Sequence, residues 1–194
     1  AKINAFTDPP GKTLLINKST SIYDKYARAI AYFRIPMYEE AILAINSLLN
    51  EYPNDPYFLE LKGQIYAENG KIENAILAYK KSLDLIQEPA PLIMLALANM
   101  LLEKKNSISS YEEAKALLNK IVFLEPKNIL AWHLKGITHS KLNESNLANL
   151  AAAEEFLIRH DFKRSKHFAE KVLEKSVSGS PQSVRALDIL NIVK

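Results

Sequence analysis

Four histidines, no cysteine and scattered carboxylates are the residues that could do chemistry in this chain of 194 residues. His133 and His139 are six positions apart, which takes them off a common helical face. His160 and His167 stand two helical turns apart, but no carboxylate at ligand spacing joins them. Neither pair matches the H-E-x-x-H arrangement that holds zinc. The carboxylate pairs Glu39-Glu40 and Glu154-Glu155 have the residue types for general acid–base work, yet at helix positions a solvated face accounts for them. Gly11-Lys12-Thr13 looks like the end of a phosphate loop, but Phe6 stands where that loop needs a glycine and no strand precedes it. Asn17-Lys18-Ser19 and Asn143-Glu144-Ser145 match glycosylation acceptors, a pattern short enough to arise by chance. No catalytic residue, cofactor or metal is therefore expected of this chain.

Composition narrows the class. Forty-eight per cent hydrophobic residues, only five glycines and no cysteine favour a helical body over a disulfide scaffold. The net charge of +3 is too small to imply nucleic acid, but the charge is uneven. Between Glu39 and Glu88 nine acidic residues face four lysines, whereas from Arg159 to Lys175 six basic residues face three acidic ones. The stretch 159–175 is read as a solvated helix face, with a docking patch for an anionic surface as the sharper alternative. The longest apolar run, Ala90 to Leu102, is too short to span a bilayer and reads as a buried helix. The chain opens on Ala1 with no apolar leader, so it is expected to be a trimmed fragment.

The elements that must position any site come from a repeat. Asp55 precedes Pro56, a capping carboxylate before a proline at the first helical position, and Asn69-Gly70 stops that helix. Ile72, Ala75, Ile76, Tyr79, Ser82 and Leu83 then recur at steps of three and four. Gly63 and Ala75 are the informative small residues, because a mid-helix glycine costs about 1 kcal/mol relative to alanine and is expected where two backbones approach closely. Ala41, Ala75, Ala114 and Ala148 fall in one frame at steps of 34, 39 and 34, and Pro53 and Pro126 each lie twelve residues beyond their alanine. Helix pairs recurring at about 34 residues resemble the tetratricopeptide family. The fold class that follows is all-α, a right-handed tetratricopeptide (TPR) superhelix of helix-turn-helix hairpins with a C-terminal capping helix.

Repeats are expected at 22–55, 56–89, 90–128, 129–158 and 147–175, after a lead-in at 1–21 from a missing upstream domain. The overlap arises because one helix, about Asn146 to Ile158, closes the fourth hairpin and opens a fifth. Asp8-Pro9-Pro10-Gly11 reads as a turn, and Ser110-Tyr111-Glu112-Glu113 as a capping box after a long loop at Lys105–Ser110. A helix over 180–193 follows, whose Val184, Leu187 and Leu190 would cover the open end. In a tetratricopeptide stack the first helix of each hairpin lines a concave channel. Counted in that frame, the partner-binding candidates are Tyr23, Tyr26, Ile30 and Phe33; then Tyr57, Glu60 and Gln64; then Leu92, Leu95, Asn99 and Leu102; and finally Leu130, His133 and Ile137. Either a tightly wound stack buries these side chains, or the channel takes an occupant: a client segment, another domain of the full protein, or a second copy. Tyr26 and Ile30 stand at two positions of the carboxylate clamp, which disfavours capture of a chaperone's acidic C-terminus.

Several segments resemble the C-terminal tetratricopeptide region of BepA-like periplasmic zinc metallopeptidases. They are Lys2-Ile3-Asn4-Ala5-Phe6 with Pro9-Pro10 and Thr13-Leu14, Tyr26-Ala27-Arg28-Ala29-Ile30-Ala31-Tyr32, Pro56 to Gln64, and Ala153-Glu154-Glu155. The resemblance implies a periplasmic parent with a signal sequence and a zinc site upstream, neither present here. It also implies that the repeats position client proteins and outer-membrane assembly partners relative to the protease. None of that family's catalytic residues has a counterpart in this chain. The alternative is a free-standing TPR scaffold or co-chaperone. Protein or peptide partners, with no nucleic acid and no transmembrane segment, are expected in either case, and a homo-oligomer is compatible with both.

Overall fold

A computed structural model describes residues 2–194, with side chains from Asn4 onward. All regular structure among the described residues is α-helical. The chain forms two compact bodies, the first ending at Ile93 and the second starting at Met94.

The first body holds α1 (Lys2–Thr7), α2 (Pro10–Ile16), α3 (Ile22–Arg34), α4 (Tyr38–Glu51), α5 (Pro56–Glu68) and α6 (Ile72–Leu85). The expected turn at Asp8–Gly11 is confined to Asp8 and Pro9, because Pro10 takes the first turn of α2, where its missing N–H costs nothing. Both short helices dock on α3. Ala5 is buried in the body's core, and the Arg34 guanidinium donates to the carbonyls of Ala5 at 2.9 Å and Asp8 at 2.5 Å. Two hairpins follow, α3 with α4 and α5 with α6, joined by α4 packing on α5. The α5 start is built as its residues dictate: Asp55 Oδ1 accepts from the N–H groups of Tyr57 and Phe58, and Pro56 opens the helix. At its far end Gly70 adopts φ +68, the left-handed turn that glycine enters without steric cost. Ile30, Ile45, Leu48, Leu61 and Ile65 are fully buried between the hairpins, each contributing roughly 1.5–3 kcal/mol of apolar burial. The space that a side chain at Gly63 would need is taken by the Tyr79 ring of α6, so the close neighbour is a side chain and not the second backbone that was expected.

α7 (Pro91–Glu103) crosses the boundary between the bodies. From Ile93 to Leu102 its side chains are buried except Ala96 and Asn99, as a helix apolar on every face requires.

The second body continues with α8 (Ile108–Leu124), α9 (Ile129–Lys141), α10 (Ser145–Ile158), α11 (Phe162–Lys175) and α12 (Pro181–Ile192). The expected capping box at Ser110 is corrected to a cap at Ser107, whose hydroxyl accepts from the Ser110 N–H. Ser107 offers the same oxygen one turn earlier, so the connection shrinks to 104–107 and Ser110 is buried inside the helix. α10 packs as closely on α9 as on α11, and it also touches α12. The buried Ser165 hydroxyl of α11 donates to the Ala153 carbonyl of α10 at 2.9 Å, just as Ser82 of α6 donates to Pro56 at the start of α5.

The last helix is rotated from its expected setting. Ser183, Ala186 and Ile189 face inward, while Val184 and Leu187 stay 48% and 50% exposed, so those two do not cover the end. The small Ser183–Ala186 face lets α12 approach closely. It also brings Arg185 to Glu154 of α10 in a two-pronged pair at 2.5 and 2.9 Å.

Candidate functional site

A groove of about 760 Å³ in the second body is walled by α9, α10 and α11. His133, Gly136, Ile137, Ser140 and Lys141 come from one face of α9 at steps of three and four. Ala148, Asn149, Ala152, Glu155, Phe156 and Arg159 come from the matching face of α10, and Arg164 and Phe168 from α11. Small side chains thus form the floor and long ones the walls.

Polar contacts fix those walls. Glu155 is only 7% exposed, and both its oxygens are engaged, one by His133 Nδ1 at 3.0 Å and the other by Arg159 Nε at 2.9 Å. The Phe156 and Phe168 rings stack with centroids 5.6 Å apart and planes within 9°. The Arg164 guanidinium lies 4.4 Å from the Phe156 centroid while its Nε donates to Asp161, and the Lys171 ammonium lies 5.5 Å from Phe168. The reading of Glu154-Glu155 as a solvated pair is therefore overturned. Both are buried, Glu154 bound to Arg185 and Glu155 beneath the groove, because adjacent positions of α10 face two different neighbours.

The expected partner-binding residues separate by position. In the first body Tyr23, Tyr57 and Leu92 are exposed, while Tyr26, Phe33, Glu60 and Gln64 are half-buried. Ile30 is 0% exposed and belongs to the core, so it is withdrawn as a groove residue. The Tyr26 ring packs on Phe58 with centroids 5.1 Å apart. Burial, followed by the charges of Glu60 and Asp55, pushes its hydroxyl above the ordinary tyrosine range. Gln64 donates to Glu60 across one helical turn.

In the second body Leu95 is also core and not lining, since α7 has no polar face to turn toward solvent. Leu102 is buried too, contributing only an edge to a smaller cavity of about 240 Å³ shared with Asn99 and Ile137. Leu130 is half exposed, and His133 and Ile137 line the main groove. The groove residues of α10 and α11 were not among the candidates, because only the first helix of each hairpin was counted. The shared helix over 146–158 and the basic run after Arg159 were the signals that point to them.

His139 lies in a separate arrangement. It is 4% exposed, and its Nδ1 meets Glu144 Oε2 at 2.6 Å while Lys115 reaches the other oxygen at 3.2 Å. Burial holds its imidazole below the ordinary histidine value, against the opposing pull of Glu144. Among the described residues no group of three or more His, Cys, Asp or Glu is placed to hold a metal ion, and no helix is long and apolar enough to cross a membrane.

No protein-family model matches the chain. Solved structures do match it over nearly its whole length. MamA from Desulfovibrio magneticus RS-1, from its residue 41 onward, is 18% identical with a TM-score of 0.63, covering 97% of this chain and 94% of that one. The thermophilic TPR protein TTC0263 of Thermus thermophilus is 15% identical with a TM-score of 0.52, covering 88% and 100%. A tetratricopeptide repeat protein from Parabacteroides merdae is 15% identical with a TM-score of 0.56, covering 99% and 80%. The fold is a tetratricopeptide-repeat fold. At these identities the likeness concerns the fold alone.

Proposed function

We propose that this chain is a non-catalytic protein-interaction module that holds a segment of another polypeptide in the α9–α11 groove. The observation that carries this is the groove itself: about 760 Å³, floored by Gly136, Ala148 and Ala152, with His133 and Ile137 on the helix face from which a partner site was expected. Small residues along two adjacent helices leave room for a visiting main chain, and the stacked phenylalanines offer apolar contact area.

Selection of peptides from a displayed random library on the full chain tests this. Binders should be lost on Ala152→Trp, which fills the groove from a partly exposed position, and kept on Leu43→Arg, which alters an exposed apolar residue of α4. Binders indifferent to Ala152→Trp would refute the groove as the docking site.

For context, the N-terminal resemblance supports membership of a longer periplasmic zinc peptidase whose repeats present clients or outer-membrane assembly partners. A free-standing scaffold is compatible with the same likeness to solved TPR proteins. Reading the gene upstream of Ala1 separates the two. A segment encoding H-E-x-x-H supports the peptidase, and a start codon with no such segment supports the scaffold.

A further inference from the structure

Resting on that docking reading, we propose that the occupant of the α9–α11 groove is an acidic polypeptide segment carrying at least one large apolar side chain, recognised through its side-chain carboxylates. Lys141, Arg159 and Arg164 rim the cavity, and Lys171 extends the row along α11. The acids nearby are Glu155 and Asp161. Glu155 is buried with both oxygens engaged, and Asp161 caps α11 while binding Arg164. Arg159 and Arg164 remain 47% and 62% exposed at the side chain, so each is anchored at its root and still offers N–H groups outward. Guanidinium groups held this way suit carboxylates, which they meet with two parallel hydrogen bonds.

The apolar requirement comes from the same walls, where Ile137, Phe156 and Phe168 lie between the cations. The cationic character is also local: residues 159–175 carry six basic side chains against three acidic, whereas 39–88 carry nine acidic against four basic. An acidic segment would therefore be steered to this end of the chain and repelled from the other.

Fluorescence anisotropy on the full chain tests the proposal with five probes. These are a labelled decapeptide of glutamates around one phenylalanine and one leucine, its glutamine isostere, its lysine counterpart, its C-terminally amidated form, and an oligothymidylate of matched length. The acidic peptide should bind at least tenfold more tightly than the isostere, lose affinity as salt rises, and be indifferent to amidation. Arg164→Glu should weaken it at least tenfold and Arg164→Lys by much less, with thermal midpoints checked for both. If isostere and acidic peptide bind equally and Arg164→Glu changes nothing while Ala152→Trp abolishes binding, the charge assignment is wrong and the docking groove stands. If neither peptide responds to Ala152→Trp, the groove itself fails as a docking site. Tighter binding of the oligothymidylate, or a concentration-dependent mass abolished by Arg164→Glu with no peptide bound, would overturn the proposal in favour of nucleic acid or of a second copy. Absence of binding by the acidic peptide would also overturn it.

Discussion

Gly63 and Gly136 occupy the same phase of their repeats, yet the structure assigns them opposite responses to a methyl group. A Cβ on Gly63 would lie 2.6, 2.7 and 3.0 Å from three ring carbons of Tyr79. Carbon pairs pack best at about 3.5–4.0 Å, so the ring must retreat by about 1 Å. Tyr79 is only 3% exposed, and overpacking of such a site costs about 1–3 kcal/mol. Alanine returns about 1 kcal/mol of helix propensity, leaving Gly63→Ala roughly 0–2 kcal/mol less stable. At Gly136 the nearest atoms are the Ala148 carbonyl oxygen at 3.7 Å and the Ala151 Cβ at 3.8 Å, ordinary contacts. Gly136→Ala should therefore be stabilising by up to about 1 kcal/mol. The difference between the two variants removes the propensity gain common to both and isolates the clash, about 1–3 kcal/mol. Native-state hydrogen exchange of the α5 and α9 amides, with urea unfolding followed by circular dichroism, measures each helix in its own body. Adding Tyr79→Leu to Gly63→Ala should recover part of the loss as a coupling energy. Equal stabilisation at both sites, or no coupling to Tyr79, would refute the close-approach account.

Other variants probe the remaining contacts. Arg185→Leu strands the buried Glu154 carboxylate and should cost about 1–3 kcal/mol, seen first as lost exchange protection in α12; intact protection would show that the pair does not hold that helix. Leu95→Ala should lower stability by about 2–5 kcal/mol in urea unfolding, as a core truncation does, so a normal midpoint would contradict its burial. Stability should also depend on pH through His139 and Glu144. Burial, with Lys135 and Lys115 adding to it, holds the His139 imidazole below its ordinary 6.5, so the unfolded chain takes up the proton first. That contribution is complete above about pH 6.5 and is lost as the pH falls through the folded-state value. Glu144, held below its ordinary 4.5 chiefly by the hydrogen bond from His139, adds a loss of the same sign below about pH 4.5. Midpoints recorded from pH 8 to 4 should fall from the first of these values, and His139→Gln should remove that onset; an unchanged profile would show that another group titrates.

The hairpins were legible because their signals are local: Asp55 before Pro56, glycine at 70, alanine in a recurring frame. Rotation of a helix about its axis was not legible where both faces are apolar. α12 offers Val184 and Leu187 on one side and Ala186 and Ile189 on the other, and the choice accompanies a partner 31 residues away, Glu154. In α3 the row Tyr23, Tyr26, Ile30, Phe33 was read as one lining face, but it runs from 69% exposed at Tyr23 to fully buried at Ile30 as the helix enters the core. α7 carries almost no polar residues to mark a side, which is why Leu95 and Leu102 read as lining when, between Ile93 and Leu102, only Asn99 is exposed. Half of the groove escaped notice for a topological reason, since its second wall belongs to a helix that serves two hairpins.

That double service changes how the array counts. The left-handed turn residues Asn106 and Asn143 are 37 positions apart, but His160 follows Asn143 after only 17, about half a repeat. A whole repeat inserted before α9 would carry α9, α10 and α11 along together, whereas loss of α10 alone would remove the groove's middle wall and exchange the roles of the helices from that point on. The groove, its basic rim and the seat of the last helix all depend on that one half-step, so parity and not length is what any rearrangement of this end must conserve.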